Sequence, residues 1–430
     1  MKHSAIAVLA LAVLAAAGCQ KTETKTISVN VKVDETKLEA AGVPAPESYD
    51  VKLSNFSTGV TVNVQTENGI ATAAGIVPGV YSVTVSGAQV QDGFNYTIAG
   101  ASSNVSLLND NDEVTVSVEA VKEAALVFKE IYYTGCKFPN IDPATGKPII
   151  DGETGEEATS TYFRDQFYEI YNNSTEVVYA DGLCISETVY ANYDNTIIYE
   201  WPIENAGQYI FTSMIWQIPG DGTTYPIKPG ESFVIAQWGT NHKADNLTSG
   251  HSPVDLSGAE FEALEKETTT FNGIVLTDNP AVNLVRAVNS LPYAAPQWLT
   301  SVSGSRYVLF KPSEPLKNEN FIEATNNDMG EYGAIAREVP ISEVIDAVQA
   351  VSDEAAMSML GLPTVLDAGA VWCSGMYVTE SIARKIKETR EDGTIVYQDT
   401  NNTTNDFEVK TDPQVRRNGA KVPSWNTWIK

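Results

Sequence analysis

Two histidines, a neighbouring serine and many carboxylates are the residues of this chain that could do chemistry. His242 and His251 lie nine residues apart in a loop-rich segment, which is not the i, i+4 spacing of a helical zinc site. Ser252 follows His251, and such a pair could belong to a hydrolytic triad. Nothing nearby predicts an oxyanion hole, and no G-x-S-x-G, Walker or Rossmann motif occurs. We therefore predict no catalytic residue.

Carboxylates are the second possible source of chemistry. The chain has 55 Asp and Glu residues, and glycoside hydrolysis needs only two of them at a suitable separation. A carbohydrate- or peptide-processing hydrolase with a carboxylate site is therefore one alternative function. A purely structural or adhesive surface protein is another.

Oxygen ligands are densest in the run NDNDE at 109–113, which contains Asp110 and Asp112. Ca²⁺ needs several converging oxygens, and a turn of this composition could supply some of them. The run lacks the Gly at position six and the Glu at position twelve of an EF-hand loop. Asp399 and Asp406 lie in a similar Asn-rich stretch. Turn capping is the prediction for both stretches, with Ca²⁺ as the alternative and no other cofactor.

Aromatic residues between positions 190 and 238 are the candidates for recognition. Tyr190, Tyr193 and Trp238 stand near Asn and Gly, where loops carry side chains outwards. Their rings could stack on a sugar or a peptide, whereas cross-strand packing in the core is the alternative. The ligand, a small molecule, peptide or glycan, stays open.

Charge and cysteine content limit the partners further. The net charge of −27 repels nucleic acid and anionic lipid, so neither is expected as a partner. Beyond Cys19 the cysteines are Cys136, Cys184 and Cys373, and no C-x-x-C spacing predicts zinc. One disulfide between two of these three remains open.

Two kinds of strand pattern must position these residues. From Ile27 to Val33 apolar and polar residues alternate, which predicts a half-buried strand, and this period recurs as far as Val118. From Phe167 to Asn172 large β-favouring residues occupy both parities, which predicts a strand buried on both faces. Turns are predicted at the following Asn-Asn-Ser and at Asp181-Gly182.

The second pattern resembles the core of the lamin-tail domain, an immunoglobulin-like β-sandwich in which E-(I/L)-Y-N-x-S leads to a turn and the next strand. The matching residues are Glu169 to Ser174 and Asp181 to Leu183. Pro229 to Ala236 resembles the P-G-x-x-(F/Y)-V-(I/L)-A hairpin of that family. Arg384-Lys385 and the following D-T-N-N run resemble the terminal strands of bacterial lamin-tail-like lipoproteins. The resemblance implies a binding scaffold.

Gly75 to Val85, GIVPGVYSVTV, resembles the transthyretin-type, carboxypeptidase-regulatory-like β-sandwich. Modules of this type usually space or position a larger domain. The resemblance therefore implies that the first domain carries no catalytic site.

Residues 1–19 resemble a bacterial lipoprotein signal peptide. Lys2 precedes an apolar run, Ile6 to Ala17, that is too short to cross a bilayer, and small residues stand directly before Cys19. We expect acylation of Cys19 and anchoring in the outer membrane. The cell surface is favoured over the periplasmic face.

We predict an all-β protein with two immunoglobulin-like β-sandwich domains, the second enlarged by loop and helix insertions. Gly135 to Tyr162 is predicted as a surface loop, Asp255 to Phe261 as a short helix and Val339 to Leu360 as a longer helix with apolar residues at helical spacing. The predicted parts are a signal peptide (1–18), a tether (19–25), the transthyretin-like domain (26–122) and the lamin-tail-like domain (125–430).

Together these features resemble surface lipoproteins of Bacteroidota-type bacteria that are often encoded beside TonB-dependent transporters. The resemblance implies a non-enzymatic binding or accessory component of a TonB-dependent nutrient-uptake assembly. Membrane contact through the acyl chains and a transporter partner are the corresponding expectations.

Overall fold

The structure, a computed structural model, describes residues 25–91, 94–122, 124–189, 199–265, 269–271, 274–291, 295–326, 334–358 and 361–429. Strands dominate it, which confirms the predicted all-β class. The chain divides into two compact units, Met1–Glu123 and Ala124–Lys430. Each unit has its own hydrophobic core.

In the described residues of the first unit there are eight strands and one short helix, α1 (Thr36–Ala40). The strands are β1 (Ile27–Asp34), β2 (Asp50–Asn55), β3 (Thr61–Gln65), β4 (Ile70–Ile76), β5 (Gly79–Gln91), β6 (Phe94–Leu107), β7 (Glu113–Ser117) and β8 (Glu119–Lys122).

Two sheets share the core of the first unit, with strand orders β4-β1-β7 and β3-β2-β5-β6-β8. The alternation predicted for β1 is confirmed, because Val29 and Val31 are fully buried between more exposed neighbours. Asn68 and Gly69 both have positive φ, which is the backbone of a type I′ hairpin turn. The Asn-Gly dipeptide therefore forms a tight turn, closed by the bridge Glu67–Ile70, although β3 and β4 on either side of it belong to different sheets.

The second unit contains 25 strands and two further short helices, α2 (Asp245–Thr248) and α3 (Thr403–Asp406), within its described residues. The strands are β9 (Leu126–Tyr132), β10 (Cys136–Pro139), β11 (Thr159–Tyr162), β12 (Phe167–Asn172), β13 (Val178–Tyr179), β14 (Cys184–Glu187), β15 (Tyr199–Glu200), β16 (Tyr209–Thr212), β17 (Met214–Gln217), β18 (Pro226–Ile227), β19 (Ser232–Ala236), β20 (Phe261–Glu262), β21 (Thr269–Phe271), β22 (Ile274–Leu276), β23 (Val282–Asn283), β24 (Val285–Asn289), β25 (Arg306–Phe310), β26 (Ile322–Glu323), β27 (Thr325–Asn326), β28 (Ile335–Pro340), β29 (Val344–Gln349), β30 (Ser381–Arg384), β31 (Ile386–Thr389), β32 (Ile395–Tyr397) and β33 (Phe407–Lys410).

A seven-stranded sheet, β23-β20-β19-β12-β9-β30-β33, packs against a five-stranded sheet, β24-β17-β14-β25-β29. Tyr168 and Ile170 of β12 enter the shared core, where they meet Trp216 and Leu309 of the opposite sheet. β12 lies at the centre of the larger sheet, between β9 and β19. The segment predicted to be buried on both faces is therefore the central strand.

The outer face of this sheet is buried as well. Tyr171 packs with Val127 and Tyr397, and Phe167 packs with Val254 and its neighbours. All six residues of β12 are buried. Because later segments of the chain cover the outer face, polar side chains of β12 are enclosed together with apolar ones.

The predicted helix from Val339 to Leu360 is wrong. Its described residues form the end of β28, a 3₁₀ turn (Ile341–Glu343), β29 and a second 3₁₀ turn (Ala355–Ser358). β29 pairs with β25, and Val348 and Ala347 enter two different cores on its two faces. A strand buried on both faces carries apolar residues on both parities, which imitates a helical period.

The predicted short helix from Asp255 to Phe261 is also wrong. Asp255 Oδ1 accepts hydrogen bonds from the backbone N and the Oγ of Ser257, at 3.0 and 2.7 Å, and the chain then enters β20. An Asp side chain closes a turn by the same contacts with which it would begin a helix.

The described cysteines are free thiols. Cys136, Cys184 and Cys373 are all buried, and none is paired. The disulfide that the sequence left open is therefore not formed among them in this structure.

Candidate functional site

Of the three predicted recognition aromatics, the structure describes Trp238 alone. Tyr190 and Tyr193 lie outside the described residues. Trp238 is only 4% exposed, packs with Leu264 and Leu276, and donates from Nε1 to the Thr277 carbonyl at 3.0 Å. Its placement on a ligand surface is therefore corrected to a place in the core.

Asp112 caps its turn, whereas Asp110 contacts the backbone of β1. Asp112 Oδ2 accepts the backbone N–H groups of Leu108 and Asn109 at 2.7 and 2.9 Å, and Asp110 Oδ1 accepts that of Ser28 at 2.9 Å. The backbone donors, that of Asn109 above all, lower the pKa of Asp112. Within the described part of the chain, no three His, Cys, Asp or Glu side chains gather as a metal site would require.

Asp399 and Asp406 surround a buried guanidinium. Arg384 Nη1 lies 3.1 Å from Asp399 Oδ1 and 3.7 Å from Asp406 Oδ2, while Nη2 lies 2.5 Å from Asp346 Oδ2. The ring of Phe407 covers the guanidinium at 4.7 Å. Arg384 thus already neutralises these carboxylates, which would otherwise be available to bind a metal cation.

The serine and the histidines do not form a triad. His251 is exposed, whereas Ser252 is buried and donates from Oγ to Asp165 Oδ2 at 2.8 Å. His242 is also buried: Nε2 donates to the Trp238 carbonyl at 2.9 Å, and Nδ1 accepts the Tyr162 hydroxyl at 2.8 Å. Burial lowers the pKa of His242 to about 4, so the imidazole is neutral at pH 7.

Asp165, the acceptor of the Ser252 hydroxyl, is the centre of a second buried polar cluster, separate from the one around Arg384. It is fully buried, and Tyr132 and Ser252 both donate to Oδ2, at 3.2 and 2.8 Å. Its Oδ1 has no hydrogen-bond partner among the described residues. Burial raises the pKa of Asp165 to about 6 against the hydrogen bonds, that of Ser252 first, which lower it. The carboxyl can take up a proton, but no solvent reaches it.

The largest enclosed charge cluster lies on the outer face of the seven-stranded sheet, around Glu169. Glu169 faces Glu130 across β12 and β9, whereas the next pair is Ile170 with Phe128. Lys129 is therefore the extra residue of a β-bulge. A bulge re-aims side chains, and both Lys129 and Glu130 accordingly lie on the outer face, with Lys129 Nζ 2.9 Å from Glu169 Oε2.

The residues after β33 (411–429), which we call the C-terminal segment, cover these acids. Arg417 donates to Glu130 from Nε at 2.8 Å and from Nη2 at 3.0 Å, and the backbone N of Arg416 donates to Glu169 Oε2 at 2.9 Å. Arg416 Nη2 reaches Glu260 Oε1 at 2.5 Å. The carboxylates fasten a distant part of the chain, and their oxygens are occupied by donors.

The polar residues of the E-I-Y-N motif are also structural. Asn172 Nδ2 donates to the carbonyls of Glu176 and Ile227, at 2.7 and 2.8 Å. Asn173 makes a reciprocal pair with the backbone of Tyr397, in which Nδ2 donates to its carbonyl at 3.0 Å and Oδ1 accepts its N–H at 2.7 Å. These asparagines join the turn at Glu176 and the strands β18 and β32 to the central strand.

A shallow cleft lies where the C-terminal segment crosses the β31–β32 hairpin. It encloses about 40 Å³ of space that water can enter, and its lining includes Tyr171, Gly230, Tyr397 and Asn418. Sites for small organic ligands usually measure about 300–1,000 Å³. This cleft has room for a few water molecules.

Residues Cys136–Tyr162, which we call the arm, form a hydrogen-bonded surface element rather than the irregular loop that was predicted. β10 pairs with β11, and beyond this pair two short loops are each closed by a bridge of their own, Ile141–Pro148 and Ile150–Glu157. Three isoleucines of the arm are exposed at 39%, 44% and 56%: Ile141, Ile149 and Ile150.

A nine-residue repeat, I-D-x-x-T-G, builds the arm. It begins at Ile141 and again at Ile150. In the first copy Asp142 Oδ1 accepts the Ala144 N–H at 2.9 Å, and in the second Asp151 Oδ1 accepts the Glu153 N–H at 2.8 Å. The Gly of each copy has positive φ. This repeat is the sequence signal that would have predicted the order of the arm.

Comparison with known proteins places the chain in a family. A family model described as "Protein of unknown function (DUF4876)" matches residues 228–414. The crystal structure of a DUF4876 family protein from Bacteroides thetaiotaomicron is 33% identical, covers 93% of this chain and 99% of that chain, and has a TM-score of 0.60. The chain belongs to the DUF4876 family.

Other similarities add nothing to this DUF4876 assignment. A streptococcal ancillary pilin is 15% identical over 48% of this chain and 64% of its own, with a TM-score of 0.16, a similarity too small to bear on fold or function. Among curated proteins no match is found. In the part of the DUF4876 chain that the structure describes, no helix is long and apolar enough to cross a bilayer.

Proposed function

We propose that this DUF4876 protein is a lipid-anchored, non-enzymatic binding protein of the outer membrane, and that its arm contacts a protein partner at the cell surface. The observation that carries the proposal is the exposure of Ile141, Ile149 and Ile150 on an ordered element. Exposed aliphatic side chains that lie close together are typical of protein-binding surfaces.

The arm is held in shape before it meets a partner. At its base Tyr377 N donates to the Thr134 carbonyl at 2.7 Å, and Thr379 N donates to the Gly135 carbonyl at 3.1 Å. Tyr377 and Thr379 both have positive φ, which is strained for such residues. Strain of this kind persists where the surroundings enforce it, often near functional sites. A preformed arm loses little conformational entropy on binding.

The chemistry of the arm favours a protein with a basic surface as its partner. Asp142 and Asp151 stand beside the isoleucines, and Glu156 and Glu157 follow in the second repeat. Apolar contacts surrounded by acidic side chains complement an apolar patch with a basic rim. A transporter of the TonB-dependent type, which the resemblance to surface lipoproteins suggested, is the partner to test first.

The enclosed clusters support a non-enzymatic role. Glu130 and Glu169 are the paired carboxylates nearest to a glycosidase arrangement, but both are buried and bound by donors. Ser252 contacts Asp165 rather than a histidine. The anchor rests on the signal-like residues before Cys19, which lie outside the described residues.

Purification of the native membrane complex tests the proposal. The test variant is Ile141→Ser, Ile149→Ser and Ile150→Ser together. The control carries Val275→Ser, Val285→Ser and Ile386→Ser, three equally exposed aliphatic residues outside the arm. Wild-type and control proteins should retain a transporter, whereas the arm variant should lose it at least about tenfold, as a loss of about 1.4 kcal/mol or more of binding free energy implies.

Three outcomes contradict the proposal. If the arm variant retains the transporter like wild type, the arm is not the interface. If wild type purifies without any transporter, the accessory role is wrong and an adhesive role becomes the better reading. Release of products from polysaccharide or peptide panels by the purified protein would instead show an enzyme.

A further inference from the structure

Lys129 and Glu169 form an ion pair that is almost completely shielded from water. Nζ lies 2.9 Å from Oε2, and the two side chains are 2% and 0% exposed. Two charges removed from water in this way lose hydration that their mutual attraction offsets only when further hydrogen bonds complete the shell. Glu169 has such bonds from Ser232 Oγ and Arg416 N.

Lys129 lacks a comparable shell. An ammonium group has three N–H donors, and within the described residues Nζ makes one hydrogen bond, to Glu169. The ring of Tyr397 lies 5.9 Å away and offers only its face. Desolvation by burial, opposed by Glu169, lowers the pKa of Lys129, which favours the neutral and nucleophilic amine.

We propose that Lys129 and Glu169 are joined by an intramolecular amide, an isopeptide bond between β9 and β12. In its formation Nζ attacks Cδ of Glu169. The Cδ–Oε2 bond breaks, and two of the three protons of the ammonium leave with Oε2 as one water molecule. The third proton remains as the amide N–H, and Oε1 becomes the amide oxygen. Atoms and charges balance without an oxidant, reductant or co-reactant.

The surroundings provide what this reaction needs. A nitrogen this close to one carboxylate oxygen is also near the carboxyl carbon, and atoms held about 3–3.5 Å apart are in near-attack geometry. Ser232 Oγ donates to Oε1 at 2.6 Å and stabilises the charge that gathers there. Arg416 N donates to Oε2 at 2.9 Å and stabilises the departing oxygen. Because solvent is excluded from the pair, no other water molecule readily enters to hydrolyse the amide once the released water has left.

The amide would close the chain segment that carries the arm. Lys129 and Glu169 are 40 residues apart, and the arm, Cys136–Tyr162, lies between them. Cross-linking the two central strands removes freedom mainly from the unfolded chain. A protein exposed to proteases outside the cell would keep the base of its arm closed.

Peptide mass spectrometry of the full chain tests the proposal. The protein is purified, denatured and digested with trypsin and a second protease. The expected product is one peptide that joins the segments containing Lys129 and Glu169, lighter than their sum by one water, with no cleavage after Lys129. Fragmentation should place the bond between these two side chains.

Two variants make the result specific. Lys129→Arg removes the amine, so its digest should contain the two peptides unlinked whether or not the variant is stable. Lys410→Arg changes a partly exposed lysine paired with Glu408 at 2.7 Å and should leave the linked peptide unchanged. Wild-type peptides that are separate and of full mass would overturn the proposal. So would a water loss that persists in Lys129→Arg.

Discussion

The carboxylate of Glu130 and the guanidinium of Arg417 form a two-point contact, at 2.8 and 3.0 Å, between residues 287 positions apart in the chain. Glu130 is fully buried in the central sheet, and Arg417 comes from the segment that crosses it. This pair fastens the C-terminal segment to the outer face. The acids of the central strands therefore hold the fold together.

Removal of Arg417 should destabilise the protein strongly. Arg417→Met leaves Glu130 buried without its cation, which costs about 3–5 kcal/mol of unfolding free energy. Lys410→Met, which breaks the partly exposed pair with Glu408, should cost less than about 1 kcal/mol. Urea denaturation of both variants measures the difference. Equal losses in the two variants would contradict the fastening role.

Asp165 should make stability depend on pH. Its pKa in the folded protein is about 6, raised by burial above the ordinary 3.8, so folding takes up a proton between these values. Its contribution is therefore fully present below pH 4 and is lost as the pH rises through 6, by up to roughly 3 kcal/mol.

Asp165→Asn removes this contribution. The stability of wild type relative to the variant should fall between pH 4 and pH 7, as measured by urea denaturation at each pH. Glu391→Gln, at an exposed acid, is the control. A difference that stays constant with pH would show that the pKa of Asp165 is the same in the folded and the unfolded protein.

Ile170 tests the packing of the central strand. Ile170→Ala should lower the unfolding free energy by roughly 2–5 kcal/mol, because it removes transfer energy and leaves a cavity. Ile150→Ala makes the same change at a side chain that is 56% exposed in the arm, and it should cost less than about 0.5 kcal/mol. Similar losses for the two variants would disprove the assignment of Ile170 to the core.

Gly182 tests the predicted turn. Its φ is 75°, and an added Cβ would meet only Lys311 Cε at 3.9 Å, so the cost of Gly182→Ala is conformational, about 1–2 kcal/mol. Gly152→Ala, in open space and without positive φ, should cost less than about 0.5 kcal/mol. Thermal melting of the two variants distinguishes them. A Gly182 variant as stable as wild type would count against the turn.

Cys19 tests the proposed anchor. Cys19→Ala should prevent acylation and release the protein from the membrane fraction, since acyl chains provide the proposed attachment. Cys184→Ala, at a buried thiol of the second unit, should leave the protein with the membrane. Fractionation and immunoblotting measure both. Membrane attachment of the Cys19 variant would refute lipid anchoring through this residue.

The sequence by itself determined the strands and turns whose signals are local. The burial pattern of β1 and of β12 follows from which side chains alternate along each strand. The Asn-Gly turn at 68–69 follows from the backbone conformations that these two residues prefer. Asp112 was likewise predictable as a turn cap, because its donors are the backbone N–H groups of Leu108 and Asn109, a few residues before it. Asp110 instead accepts from Ser28, 82 residues away, a contact that no local pattern predicts.

Only the tertiary structure decided which side chains are enclosed and what they meet. Trp238 became a core residue, and Val348 a strand residue rather than a helical one, because distant strands cover both faces of their segments. The bulge that turns Lys129 towards Glu169 depends on the register between β9 and β12, and Arg417 reaches Glu130 only after the last segment folds over the sheet. The register between two strands, and the packing of a distant segment over a sheet face, depend on residues far apart in the sequence. Local sequence patterns therefore could not predict them.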